Sequence, residues 1–444
     1  MIFFRNGVIN GNLNETYICL ISKKLDARTV ADFRPISLTT GLNKIIARVL
    51  SERLKKVLPF TIIGQQTAFV EGRQILDASL MANELIDEWE RKKQKGVVIK
   101  LDMEKAFDKV DWTFLKNILV AKGFGPKWRR WIKGCISSTN FSIIINGRPR
   151  GKIYATRSLR QGDPLSPFLF IMVMDCLSHL PTKAEYEGQI KGFQIGNEGL
   201  SINHLQFADD TILFSDLVNA SSIKNMIEMI KTFEGFSGQN INIQKTEIMG
   251  INISTEIIEE FACKYGCKKG EWPNMYPGLP LKGNHKSFFF WKIIIEKIER
   301  RLATWSSRYT SKGGRLTLIQ VTLSNLPNYY MSLFEMPQKV AANIGRLFRN
   351  YLWKDSCTPC SLEYYKPPNR KGRSRSSLDK EEEHSSPPQM DMEISSRRKA
   401  LWRNLIKAKY TPASNKNHLP PSSTKRALKV HKETSKSHHP QNSP

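Results

Sequence analysis

Two adjacent carboxylates, Asp209 and Asp210, sit inside the otherwise apolar run QFADDTILF at residues 206–214. Burying unpaired carboxylates is expensive, so either the pair lies on a solvated turn or a cation meets it. A third acid, Asp102, ends the apolar stretch VVIKLD at residues 97–102. If the two strands are neighbours, three acids converge, and like charges so close raise one another's pKa. Such an oxygen-only donor set suits hard divalent cations, above all Mg²⁺. Two ions a few ångströms apart clamp the attacking and leaving oxygens of an in-line phosphoryl transfer. An acidic hairpin tip alone is ordinary, because Asp and Asn belong in turns. Phosphoryl transfer to a nucleic acid also needs phosphate clamps, a template surface and a sugar filter.

The elements that must carry these acids are legible in outline. VVIKLD predicts a strand, and EKAFDKVDWTFLKNILVAKGF after it predicts a turn and a helix stopped by Gly123. A second helix starts at Pro126, a residue suited to the first helical turn, with Trp128, Trp131 and Ile132 on one side and Lys127, Arg129, Arg130 and Lys133 interleaved. FSIIINGRPRGKIYAT predicts a hairpin about Asn146-Gly147, the strongest short-range turn signal between β-rich runs. RSLRQGDPLSPFLFIMVMDCLSHL reads as a loop feeding a helix whose start is marked by Pro167. HLQFADDTILF is a second hairpin with the acids near its tip, and Ile223, Met226, Ile227, Ile230 and Phe233 then recur at helical spacing. This order predicts an α+β domain with one mainly antiparallel sheet.

The 444 residues suffice for two or three domains with real cores. Lys and Arg number 68 against 41 Asp and Glu, a formal charge of +27, which is the footprint of a polyanion binder, nucleic acid first. The seven cysteines are odd in number and scattered, and MIFFRNG has no apolar segment of secretory length, so an intracellular, reducing compartment is expected. Cys357-Thr-Pro-Cys360 has half a zinc site's spacing without a second pair, and reads as loop. The longest apolar stretch, FLFIMVM, is far too short to span a bilayer, so no membrane association is expected. From residue 356 to 444 the chain is rich in Lys, Arg, Ser, Pro, Asn and His, a composition that predicts disorder apart from the patch ALWRNLIKAKY.

DFRPISL, QTAFVEGRQ, KLDMEKAFDKVDW, LRQGDPLSPFLF, FADDTILF, SGQNINIQKTEI and YPGLPL follow one another from Asp32 to Leu281. In this order they resemble the reverse-transcriptase motifs of non-LTR retrotransposons, most of all the long interspersed elements of plant genomes. The resemblance runs from about Phe4 to about Lys354 and implies an RNA-directed DNA polymerase of right-hand form. Its implied parts are fingers (1–80), a palm with the catalytic acids and an antiparallel sheet (81–250), a thumb-like or connecting region (251–355) and the low-complexity tail (356–444). Implied partners are an RNA template, a DNA primer and deoxynucleoside triphosphates. The implied cofactor is two Mg²⁺ ions, with Mn²⁺ as a substitute.

Position by position, the resemblance gives Asp102 and Asp209 as metal-binding acids, with Asp210 as the supporting acid of the turn. Phe107 resembles the aromatic gate against a ribose 2′-hydroxyl, and Gln161 and Gly162 the loop touching template and incoming nucleotide. Arg34 and Lys24 match the pair that grips the triphosphate, Arg being suited by its planar fork. Lys245 matches the lysine that protonates the leaving pyrophosphate, and Arg73 a position facing the template. Arg300, Arg301 and Arg308 lie where a thumb-like helix pair would hold the duplex through phosphate contacts. Three departures are evident. Pro277 stands where the family has Leu in Y-L-G-L-P-L, the chain opens just upstream of the fingers so that the family's endonuclease domain is expected to be absent, and the match stops beyond Lys354. The alternative these departures imply is a retrotransposon-derived remnant that binds nucleic acid without catalysis.

Overall fold

The computed structural model describes residues 2–9, 14–24, 26–137, 139–196, 200–217, 221–305 and 310–353; the tail with Cys357 and Cys360, and also Arg308, lie outside them. Contacts divide the chain into two units, one running to Pro277 and one starting at Gly278.

The first unit opens with helix α1 (Ile2–Asn6) and the antiparallel strands β1 (Thr16–Ser22) and β2 (Phe33–Thr39). Helix α2 (Gly41–Lys55) begins where the Thr40 hydroxyl accepts from the Asn43 amide, satisfying one of the orphan donors of a helix start. Then come α3 (Leu58–Thr61), α4 (Ile75–Arg91) and β3 (Gly96–Leu101). Helix α5 (Trp112–Ala121) is capped by Asp111, which accepts from the Phe114 amide at 2.7 Å, and α6 (Pro126–Ile136) starts on the expected proline. Strands β4 (Asn140–Ile145) and β5 (Arg148–Tyr154) meet at Asn146 (φ 50°) and Gly147 (φ 75°), the two left-handed positions that the Asn-Gly turn requires. Helix α7 (Ser166–Tyr186) and the small pair β6 (Phe193–Ile195) and β7 (Leu200–Ile202) precede the acidic hairpin, β8 (His204–Phe207) and β9 (Asp210–Asp216). The unit closes with α8 (Ser221–Ser237), β10 (Glu247–Ile251), α9 (Thr255–Tyr265), β11 (Lys268–Lys269) and β12 (Asn274–Tyr276).

The α+β class is as expected, but the expectation of one sheet is corrected. There are two principal sheets, a four-stranded one in the order β2-β1-β4-β5 and a five-stranded one in the order β11-β10-β3-β9-β8. The Asn146-Gly147 hairpin joins the first through a parallel pairing of β1 with β4, Thr16 opposite Phe141. Periodicity identifies strands, whereas pairing over such sequence distances depends on the tertiary core, so a local pattern cannot assign a hairpin to its sheet. Within the five-stranded sheet β3 is central, flanked by β10 and β9. Accordingly Val97, Val98 and Ile99 are fully buried, since both of its faces are covered.

Helix α7 is apolar nearly all round from Phe168 to Met174 because it is buried on every side. The expected α8 face, Ile223, Met226, Ile227, Ile230 and Phe233, is buried in the same core. One polar centre crosses this core: Asp175 of α7, itself buried, accepts from the Ile63 amide at 2.8 Å and from the Lys122 ammonium at 2.6 Å. It thereby ties the loop after α3 to α7.

In the second unit, β13 (Leu279–Leu281) is followed by α10 (Lys292–Thr304), α11 (Lys312–Leu318), α12 (Asn328–Met331) and α13 (Gln338–Leu352). Ile294, Ile295 and Ile298 of α10 and Val340, Ile344 and Phe348 of α13 are buried. Arg315, also buried, donates to the carbonyls of Tyr351 and Leu352 that end α13. Among the described residues, no helix is long and apolar enough to cross a membrane.

Removing one partner of a buried ion pair leaves an uncompensated charge and costs about 3–5 kcal/mol. Asp175→Ala should therefore destabilise the chain by about that amount in urea unfolding, and the double variant Asp175→Leu with Lys122→Met should recover most of it. A single variant within 1 kcal/mol of the parent would show that the pair contributes nothing.

Candidate active site

The acidic hairpin turns on two residues, Ala208 and Asp209, with Phe207 paired to Asp210 across it. Ala208 takes φ 55°, a conformation that a two-residue turn usually gives to glycine. Strand β3 runs antiparallel to β9 with Leu101 opposite Thr211. One step further along that register, the end of β3 brings Asp102 next to the acidic turn, near enough for its charge to act on both Asp209 and Asp210. The backbone of Asp102 is held by its far neighbour: the Asp102 carbonyl accepts from the Asn242 amide at 2.8 Å, and the Asp102 amide reaches the Thr246 hydroxyl at 3.4 Å.

The electrostatics follow from the placement. Asp209 is open to solvent at the tip yet recessed among protein atoms. That recess raises its pKa, Asp102 adds to the rise, and its own amide and Arg34 oppose it. Asp210 is raised to about 6, by burial first and then by Asp209, while Lys100 lowers it and Asp102 raises it further. Behind the turn, Lys100 donates to Asn274 at 3.2 Å. The buried Tyr276 hydroxyl has no hydrogen-bond partner among the described residues; burial and the charge of Asp210 push its pKa up. Neither Lys100 nor Tyr276 was singled out in the sequence, because a strand lysine and an apolar-flanked tyrosine carry no signal of their own.

Oxygen donors and mutual repulsion give this set the chemistry of a divalent cation site. Among the described residues, no three His, Cys, Asp or Glu side chains close around a single point. An open arrangement fits Mg²⁺, which keeps waters and takes one or two carboxylates plus substrate phosphates instead of an all-protein cage.

Around the acids the other expected residues are distributed unevenly. Arg34, exposed on β2 opposite Ile21, is close enough to Asp209 to act on its charge. Lys24 forms an ion pair with Asp32 at 2.8 Å; with the Thr29 and Arg28 amides it holds the Asp32 carboxyl far below the usual range. The ring of Phe107 stacks on Phe170 at 4.5 Å, and the residue is half-buried. Gln161 donates to Asp108 at 3.3 Å and its carbonyl accepts from the Ser37 amide of β2 at 2.8 Å. Burial raises the Asp108 pKa and the Gln161 bond moderates the rise. Gly162 takes φ 101°, a left-handed conformation that glycine suits, packed where a Cβ would lie 3.4 Å from the Ser37 carbonyl.

The loop carrying Gln161 and Gly162 is anchored from inside by residues that sequence reading passed over. Arg160, buried, donates to Asn14 at 2.8 Å and also to the Cys135 carbonyl and the Thr139 hydroxyl. Asp163, also buried, accepts from the Leu165 and Ser166 amides at the start of α7. Lys245 lies exposed on the turn that holds Asp102, and its charge is felt at Glu104. Arg73 is partly buried, and its guanidinium donates to the carbonyls of Ile62, Ile63 and Gln66 of the chain's own loop. Arg300 and Arg301 are exposed on α10 in the second unit.

The sequence profile of the family "Reverse transcriptase (RNA-dependent DNA polymerase)" matches residues 21–280. Over 358 residues the chain is 26% identical to the "Transposon TX1 uncharacterized 149 kDa protein" of Xenopus laevis, covering 79% of this chain and 26% of that protein. It is 28% identical over 237 residues to a "Retrovirus-related Pol polyprotein from type-1 retrotransposable element R2" of Popillia japonica, covering 53% of this chain and 32% of the relative. A shorter match, 52% identical over 69 residues, is to an uncharacterized mitochondrial protein of Arabidopsis thaliana and covers 16% of this chain and 57% of that one. The chain thus spans about a quarter to a third of the length of the first two relatives.

Asp210 gives a pH signature of its own. Its pKa is about 6 in the folded chain against an ordinary 3.8, so the folded state holds this proton more tightly than the unfolded one. Below the ordinary value the carboxyl costs nothing; as pH rises through the interval to about 6, stability falls by at most about 3 kcal/mol. In the chain stripped of divalent ions, Asp210→Asn should abolish that fall. Thermal melts of both proteins across this interval measure it, and parallel curves would exclude the coupling.

Proposed function

Because the chain belongs to the reverse transcriptase (RNA-dependent DNA polymerase) family, we propose that it extends a DNA primer with deoxynucleotides along an RNA template. The observation that carries this reading is the pairing of β3 with β9, which sets Asp102 beside the Asp209-Asp210 turn within reach of Arg34. We place the chain with non-LTR retrotransposon polymerases of the kind found in plants, a reading supported by the TX1 and R2 relatives and by the short Arabidopsis match.

In this reading residues 1–80 serve as fingers, 81–250 as palm and 251–355 as a thumb-like or connecting region. Asp102 and Asp209 would hold two Mg²⁺ ions, with Mn²⁺ as a substitute, and Asp210 shapes the turn. Such ions would supply Lewis-acid withdrawal of charge from the triphosphate oxygens and the primer hydroxyl. The chain's own residues do the rest. Arg34 grips the triphosphate with its planar fork, and Lys24 exchanges Asp32 for a phosphate oxygen as the nucleotide arrives. The half-buried ring of Phe107, fixed by stacking on Phe170, rejects a ribose 2′-hydroxyl by contact. Gln161, oriented by Asp108, and the bare backbone of Gly162 present a close surface to the template base and incoming nucleotide.

The primer 3′-hydroxyl gives its proton to solvent water as its oxygen bonds to the α-phosphorus, the bond from that phosphorus to the oxygen bridging to the β-phosphate breaks, and Lys245 Nζ gives a proton to the departing pyrophosphate. Arg300, Arg301 and Arg308 hold the product duplex through its phosphates, in keeping with a net charge of +27.

The purified full chain should extend a DNA primer on an RNA template in the presence of Mg²⁺, and Asp209→Ala should lower kcat by about a hundredfold to a thousandfold. No extension by the parent, or equal extension by both, would sink the catalytic reading. Phe107→Ala should leave deoxynucleotide use nearly intact and raise ribonucleotide incorporation by about tenfold or more; unchanged sugar selectivity would remove the gate from Phe107.

A further inference from the structure

Gln66 is completely buried, and its amide is built into the acidic turn. Its Oε1 accepts from two amides, Ala68 and Ala208, each at 3.0 Å. Its Nε2 faces the Gln206 Oε1 at 3.4 Å and the Ala208 carbonyl at 3.5 Å. The neighbouring Thr67 adds two more bonds to the same strand, from its amide (2.9 Å) and its hydroxyl (3.0 Å) to the Gln206 carbonyl. The Gln206 amide answers with a bond to the Gln65 carbonyl at 3.0 Å.

The loop that supplies these contacts is itself immobilised. Arg73 donates to three of its carbonyls, and Asp175 accepts from its Ile63 amide. The residue at the receiving end, Ala208, is the one held at φ 55°. An alanine in the left-handed region is strained by its Cβ and persists where its surroundings over-determine it.

We propose that Gln66 is a positioning residue that clamps Ala208 in this conformation, and that the clamp sets the direction in which Asp209 leaves the turn toward Asp102. The assignment rests on the reading of Asp209 as a metal-holding acid. Glutamine suits the place for a chemical reason. The site needs one acceptor for two amides and a donor facing the Ala208 carbonyl. A carboxylate would offer no donor and would set another negative charge near Asp209.

The test uses the full chain with Gln66→Met, close in volume but without the amide. The folded fraction of each protein is fixed by urea unfolding. Corrected for that fraction, kcat of primer extension should fall by at least about tenfold while KM for the deoxynucleotide stays within about threefold, as expected when reacting groups are misplaced and ground-state binding is kept. Mn²⁺ binding to the nucleotide-free chain, read by electron paramagnetic resonance, should weaken severalfold.

Adding Ala208→Gly to Gln66→Met should recover part of the lost kcat, because glycine adopts the turn without a clamp. A packing defect alone would gain nothing from that glycine. If Gln66→Met does not fold, Gln66→Asn, too short to reach the Ala208 amide, takes its place with the same readouts. Wild-type kcat and Mn²⁺ affinity in the folded variant would overturn the role of Gln66. A parent that neither binds Mn²⁺ nor extends a primer would overturn the metal reading beneath it.

Discussion

The site depends on one antiparallel register, β3 against β9 with Leu101 opposite Thr211. It makes neighbours of Asp102 and the Asp209-Asp210 turn, whose carboxylates repel one another in a recess that disfavours their charged forms. Left alone, such an arrangement is a local instability, and the surrounding structure is organised to sustain it. Strand β3 is buried on both faces, with Val97, Val98 and Ile99 locked between neighbouring strands and covering helices. A slip by one residue would turn these side chains toward the opposite face, so the core that specifies the register also specifies where the acids meet.

The polar groups that hold the backbone near these acids are mostly neutral. Asn242 and Thr246 fix Asp102, Gln66 fixes Ala208, and Gln161 meets Asp108. Cations approach from two sides only in the contacts described: Lys100 acts on Asp210 from behind, and Arg34 acts on Asp209 from β2. Neutral amides orient the chain without cancelling its charge, and the recess retains the negative potential that would draw a divalent cation. In a chain with an excess of 27 positive charges, this cluster of acids is a local concentration of negative charge that Lys100 and Arg34 only partly offset.

The arginines show how differently the same residue type is used. Arg160 and Arg315 are buried and Arg73 is partly so, and each donates to backbone carbonyls of the chain itself. Arg34, Arg300 and Arg301 are exposed. Motif position assigns Arg34 to the triphosphate and Arg73 to the template side. In the fold they differ in that Arg73 lies within reach of a loop's orphan carbonyls, and a guanidinium with fixed donor geometry can cap several at once. Arg160 and Asp163 bracket Gln161 and Gly162 in the sequence, yet they face inward and give that loop its rigidity.

Local chemistry was legible in the amino acids alone: the Asn146-Gly147 turn, the acidic hairpin tip, the prolines that mark the starts of α6 and α7, the buried face of α8, and the acids at strand ends. Each follows from dihedral preference or apolar periodicity over a few residues, which is information a short segment carries within itself. The family, too, was legible, through motifs in order. The division into two sheets, the parallel pairing of β1 with β4, the inward use of Arg73 and Arg160, and the clamp of Gln66 on Ala208 were decided only by the tertiary structure. Those features join segments far apart in the chain, and the free energy that selects them comes from burial and hydrogen-bond satisfaction across the whole core, which no local pattern encodes.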